Sequence, residues 1–129
     1  MQWLLHGSTT SGLAEALATR EHTVHPMSEL NLPADAAPSE ILAAAEARQW
    51  DIVTTDKDLA TAPYERKQPF GRTIVHLQLQ GGDAEQKDAI GRLFDRYRRL
   101  SPRRLYTVTA TRVKIRQLPA PGGVPTEPA

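Results

Sequence analysis

Residues 51–59 read Asp51-Ile52-Val53-Thr54-Thr55-Asp56-Lys57-Asp58-Leu59. Four β-branched side chains in a row stiffen the backbone toward the extended conformation. The run is too short for a helix and is bounded by acids, so it reads as a short strand buried on both faces. Such strands sit in the middle of parallel sheets. The acids that follow carry their own signal. Asp56 is a good N-cap acceptor for a helical turn, and Asp58 is a favourable first-turn acid.

Upstream, Pro38 suits the first position of a helix, where its missing N–H is no loss. Glu40 lies in that first turn, and Ile41, Leu42, Ala44 and Ala45 supply a buried stripe that ends near Gln49. Residues 27–37 contain Asn31, Pro33 and Asp35 and read as loop. Residues 22–25 read as a short extended segment, and residues 11–20 as a helix through Leu13, Ala16 and Leu17. Residues 1–5 form an apolar first strand, followed by the polar loop His6-Gly7-Ser8-Thr9-Thr10-Ser11.

Downstream, Pro63 and Pro69 mark an irregular segment. Residues 73–79 alternate, with Val75, Leu77 and Leu79 on one face, and Gly81-Gly82 ends them. Residues 83–100 carry Ile90, Leu93, Phe94, Tyr97 and Leu100 at helical spacing. Asp88–Arg92 and Asp95–Arg99 are i,i+4 pairs on that helix. Residues 105–118 read as a hairpin turning near Ala110-Thr111. Strands alternating with helices predict an α/β fold: a three-layer sandwich with a central, mainly parallel sheet of four or five strands. One domain spans residues 1–118, and residues 119–129 read as a disordered Pro/Gly-rich tail. In such sheets ligand sites form at the carboxyl ends of the strands.

Composition excludes several chemistries. There is no cysteine, so there are no disulfides, zinc–thiolate sites or thiol nucleophiles. The apolar run Trp3–Leu5 is too short for a signal peptide, and no stretch approaches the roughly 20 apolar residues that span a bilayer. A cytoplasmic protein is expected, without a membrane partner. Ser8, Thr9, Thr10 and Ser11 are explained by helix capping rather than nucleophilic catalysis. Gly81-Gly82 lacks the lysine and spacing of a phosphate loop. The net charge of +1 conceals an asymmetry: residues 1–60 carry nine acids and three bases, the remainder six acids and thirteen bases.

The chemistry-bearing motif is Asp56-Lys57-Asp58 at the mouth of a central strand. Two carboxylates there can share Mg²⁺ with waters and substrate phosphate oxygens, and such an ion activates water for in-line attack on a phosphodiester. Helix capping accounts for the same residues equally well. The other candidate feature is basic. Arg92, Arg96 and Arg99 on the helix, and Arg112, Lys114 and Arg116 on the last strand, can track a nucleic-acid backbone. A solvated helix face and a charged edge strand account for them too.

Four segments in this order carry a resemblance: Trp3-Leu4-Leu5-His6, Ser39-Glu40-Ile41-Leu42, Val53-Thr54-Thr55-Asp56-Lys57-Asp58 and Arg112-Val113-Lys114-Ile115-Arg116. Together they resemble the PIN-like domain superfamily, in particular the short bacterial proteins related to VapC-type toxins. The resemblance covers residues 1 to about 118. It implies the metal-dependent ribonuclease class, with hydrolysis of RNA by a metal-activated water. It also implies Asp56, Asp58 and Glu40 as catalytic carboxylates, Mg²⁺ or Mn²⁺ as cofactor, RNA as substrate, and an antitoxin-like protein or a second copy as partner. The carboxylate set is incomplete. His6 stands where the first aspartate is expected, and Pro38 stands about where the helix-opening acid is expected, two residues before Glu40. Imidazole is a poor ligand for Mg²⁺, so His6 as a metal ligand beside Asp56 and Asp58 implies Mn²⁺, Zn²⁺ or another transition metal. Otherwise the site has decayed and the protein is a non-catalytic module that binds RNA or a protein.

Overall fold

The computed structural model describes residues 1–119. The segment expected to form a disordered tail lies, from residue 120 on, outside the described residues. The elements run β1 (Gln2–His6), α1 (Ser11–Thr19), β2 (Thr23–Pro26), a 3₁₀ turn (Met27–Leu30), α2 (Pro38–Ala47), β3 (Asp51–Thr54), α3 (Lys57–Glu65), β4 (Ile74–Leu77), α4 (Asp83–Arg96), β5 (Arg104–Val108) and β6 (Val113–Gln117). The strands form one sheet in the order β2-β1-β3-β4-β5-β6. Every pair is parallel except β5–β6. Six strands replace the four or five expected, because the short segments on both sides of the sheet, β2 and β6, pair fully.

The sheet is covered on both faces, as parallel sheets require. Leu4, Ile52, Ile74 and Leu105 pack on one face with Ile41 and Leu42 of α2 and with Leu59 and Ala62 of α3. Trp3, Val53, Val75 and Tyr106 pack on the other with Leu13 and Leu17 of α1 and with Ala89, Ile90 and Leu93 of α4. All four residues of β3 are buried, as its composition predicts. Its first residue, Asp51, is only 2% exposed. Its carboxylate accepts from the Thr73 N–H at 2.9 Å and from Arg72 Nη2 at 3.2 Å, so the charge is paired where it enters the core. No helix among the described residues is long and apolar enough to cross a membrane.

Two helices differ from the sequence expectation. α3 runs on to Glu65 with Pro63 inside it. Pro63 falls in the last turn, so only one backbone bond is forgone there. α4 stops at Arg96 rather than near residue 100, and Tyr97 turns extended at φ −125°, ψ 99°. Tyr97 and Leu100 still reach the core from the turn that follows, which is why the helical spacing continued past the helix. The Asp88–Arg92 pair forms at 2.7 Å. Asp95–Arg99 does not, because Arg99 lies beyond the helix.

Helix α1 ends with the His22 N–H on Leu17 O and the Glu21 N–H on Ala18 O. Helix α2 ends the same way, with the Trp50 N–H on Ala45 O and the Gln49 N–H on Glu46 O. These are Schellman closures, which need a left-handed residue just past the helix. Glu21 (φ 65°) and Gln49 (φ 60°) fill that position instead of glycine. L-residues are strained there by about 1–2 kcal/mol. Gln49→Gly is therefore expected to stabilise the protein by about 1 kcal/mol in urea unfolding; an unchanged or lower midpoint would contradict the strain.

Candidate functional site

The strand order reverses between β1 and β3. In doubly wound sheets such a switch point opens a crevice outside the carboxyl ends of the strands. At this edge the register aligns one row of side chains: His6, Thr54, His76, Thr107 and Lys114 lie side by side across five strands. One pleat repeat below them, the row Leu4, Ile52, Ile74, Leu105 is buried against α2 and α3. Side chains two apart on a strand share a face. The face that carries α3 is therefore apolar in the core and polar at its carboxyl end.

The turn from β3 to α3 is tied to this row. Thr54 is fully buried, and its hydroxyl accepts the Asp56 N–H at 2.9 Å. The same oxygen lies 2.8 Å from His6 Nδ1. In the tautomer with Nδ1 unprotonated, the Thr54 hydroxyl donates to His6 and Nε2 carries the ring proton. Gly7 follows at φ +81°, and a Cβ there would come within 2.5 Å of Thr55 Oγ1. That oxygen accepts the Ser8 N–H at 2.7 Å. A glycine is required at residue 7 because the β1 loop passes directly over the β3 turn.

Gln86 on α4, buried at 4% exposure, fixes the rest of the loop. Its Oε1 accepts from the Thr10 N–H at 3.0 Å, and its Nε2 donates to Ser8 O at 2.9 Å. Asp83 Oδ1 accepts the Gly12 N–H at 2.7 Å. The Thr10 hydroxyl caps α1 by accepting from the Leu13 N–H, as the capping reading of the Ser/Thr cluster expects. Ser8, Thr10 and Gln86 line a cleft of about 340 Å³ together with Thr55, Leu77 and Gly82. Sequence reasoning did not find Gln86, Asp83 or His76. Gln86 is polar at a helical-core position, and that is its one sequence signal. His76 acquires its setting only through strand register.

The expected ligands are placed as follows. Asp56 is the N-cap of α3, and its Oδ1 accepts the Asp58 N–H at 3.0 Å. Asp58 is an exposed first-turn acid. Glu40 Oε1 accepts the Ala37 N–H at 3.0 Å and closes the start of α2. His6 is engaged by Thr54. Among the described residues no three His, Cys, Asp or Glu side chains gather where they could hold a metal ion. This donor set does not fit a Mg²⁺ or Mn²⁺ centre, which draws several carboxylate oxygens around one point.

The basic stripes start from opposite faces of the sheet. Arg92 is held by Asp88 and donates from Nη2 to Thr109 O at 3.0 Å. Arg96 leaves from the end of α4, and Arg99 lies in the turn beyond it. Lys114 and Arg116 point to the opposite face of the sheet, the one carrying α3, where the Arg116 guanidinium lies 3.9 Å from the Tyr64 ring centroid. Arg112 has the same parity in the turn before β6. The two stripes meet at the carboxyl edge, where Arg92 and Lys114 line one cleft together with Glu85 and Asp88.

No family model matches the chain, and no curated protein or solved structure matches it.

Burial pushes the imidazole pKa of His6 below its usual value, with the Asp56 carboxylate opposing. Burial does the same to His76, with Asp56 opposing and Lys57 reinforcing. His22 is lowered by burial first, then by the N-terminal amine and Arg20, against Asp51. Each histidine binds a proton more readily in the unfolded chain, so stability rises with pH across their titration. Their contribution is present above about pH 6.5, the unfolded value, and is lost as pH falls through the lowered folded values. Urea unfolding from pH 7.5 down to 5 should therefore show a falling midpoint, with a shallower fall in His76→Gln. A midpoint flat with pH would contradict the burial of these rings as neutral species.

Proposed function

We propose that this chain is a PIN-like protein of the metal-dependent ribonuclease class that no longer cuts, and that it acts as an RNA-binding module. One observation carries the loss of cleavage. Two of the three carboxylates that the resemblance offers as ligands, Asp56 and Glu40, accept backbone N–H groups at the start of their own helices. A carboxylate committed in this way loses capping energy when it turns to a cation. The aspartate expected at the end of β1 is His6, whose Nδ1 is taken by Thr54.

Binding is supported by the turn between α4 and β5. Arg96, Arg98 and Arg99 are exposed. None of them has a carboxylate within 4.0 Å among the described residues. Arg103 and Arg104 follow within the same nine residues, and no acid interrupts residues 96–104. Guanidinium groups donate in pairs to phosphate oxygens. Tyr97 is half-buried and edge-on to Tyr106 at 5.8 Å between centroids, which leaves it little surface for stacking a base. The mode is therefore backbone recognition, tolerant of sequence and sensitive to salt.

The test uses a labelled single-stranded RNA of about 12 nucleotides, a length within the usual site sizes. Binding should weaken with salt at a log–log slope of about −2, the value for some three neutralised phosphates on a single strand. Arg98→Glu with Arg99→Glu should abolish it. The RNA should remain intact with Mg²⁺ or Mn²⁺. Cleavage that needs either ion and disappears in Asp56→Asn would overturn the proposal, as would binding that the double variant leaves unchanged.

A further inference from the structure

Among the described residues β6 is the free antiparallel edge of the sheet, and its pairing fixes which groups it presents. The Thr109 N–H donates to Arg112 O, and the Leu118 N–H to Arg103 O, both at 2.9 Å. With the register running from Arg104↔Gln117 to Val108↔Val113, the alternation of an antiparallel ladder turns the backbone of Lys114 and Arg116 toward β5. The backbone groups of Val113, Ile115 and Gln117 then face outward. The outward carbonyl of Gln117 already accepts from the Tyr64 hydroxyl at 2.9 Å. Among the described residues the open hydrogen-bonding length is therefore Val113 and Ile115, four backbone groups, with the Gln117 N–H beyond them.

The side chains of the edge are sorted by face. Arg112, Lys114 and Arg116 lie on one side and have no carboxylate within 4.0 Å among the described residues. Val113 and Ile115 lie on the other, paired with Val108 and Tyr106. Ile115 is 42% exposed, one of two large apolar side chains so open among the described residues. Arg116 is held in place by its stacking on Tyr64, so less freedom is lost when it meets an anion.

A second copy of the chain is a poor occupant. A two-fold pairing through β6, whether centred on Ile115 or between Val113 and Ile115, opposes cation to cation along one face. Like charges directly opposite destabilise a strand pair. The same row of cations favours a strand that carries acids at alternate positions. We propose that the β6 edge takes up an extended acidic–aliphatic segment of a protein partner. Its acids lie opposite Arg112, Lys114 and Arg116, and its aliphatic side chains cover Val113 and Ile115. This is strand addition, in which main-chain bonds give affinity and alternate side chains give selectivity. It is independent of RNA binding by the turn after α4.

The probe is a capped, fluorescein-labelled peptide of alternating Glu and Val, added to the full chain. Saturable binding by anisotropy is expected, with the largest amide shifts at Val113 and Ile115 in nitrogen–proton correlation spectra. N-methylation of the peptide amides that face β6 should weaken binding roughly tenfold, the loss of one to two hydrogen bonds. Arg112→Glu with Lys114→Glu should lose the peptide and gain an alternating Lys–Val peptide instead. Three results would overturn the proposal: no saturable binding, equal binding of the N-methylated peptide, or displacement of the peptide by single-stranded RNA with shifts at the same amides. The first two leave the outcome for Arg98→Glu with Arg99→Glu untouched, so the two proposals fail separately.

Discussion

The connection from β3 to α3 is two residues long, Thr55 and Asp56, and the carboxyl edge of the sheet is arranged around it. A chain that leaves a buried strand and enters a helix in so few residues exposes several backbone N–H groups at once. Thr54 Oγ1 takes the Asp56 N–H, Asp56 Oδ1 takes that of Asp58, and Thr55 Oγ1 takes that of Ser8 from the neighbouring loop. These bonds reach His6 on one side and, through Ser8 O, Gln86 on the other. The motif that looks like a metal site in one dimension also serves, in three, to satisfy two loops and a helix start.

That arrangement shows why two acids after a strand are ambiguous. The geometry that makes a carboxylate a good N-cap also places it at the carboxyl edge, where parallel sheets build their sites. Convergence decides between the two roles. A metal centre needs donors from several strands aimed at one point. Here β1 contributes His6 and β4 contributes His76, both buried enough to favour the neutral ring. The edge carries two imidazoles where hard oxygen ligands would be needed.

Much of the fold was legible because the local signals agreed with the tertiary outcome. β3 is a β-branched run and is buried throughout. Pro38 opens α2, and Ala110-Thr111 turns the last hairpin. The misses have physical causes. No glycine marks the ends of α1 and α2, because Glu21 and Gln49 adopt the left-handed conformation instead. Pro63 reads as a breaker but falls where a helix tolerates it. The apolar spacing of Tyr97 and Leu100 persists beyond α4, because burial, which the pattern reports, outlasts the helix. His6, Asp56 and Asp58 were legible from the sequence as residues at or just beyond strand ends, since they are contiguous with β1 and β3. Gln86 and His76 were not: one acts across a gap of 78 residues and the other through strand register.

The central claim is that Asp56 is a cap and not a ligand, and thermal unfolding of the wild type, Asp56→Asn and Asp56→Ala tests it most directly, each with and without Mg²⁺ or Mn²⁺. An ion that binds the native state raises the melting temperature. Asn keeps the capping oxygen and Ala removes it. The account predicts that neither ion shifts the wild type, that Asp56→Asn melts close to it, and that Asp56→Ala loses about 1 kcal/mol. A Mn²⁺-dependent rise in the wild type that is absent from Asp56→Asn would contradict it.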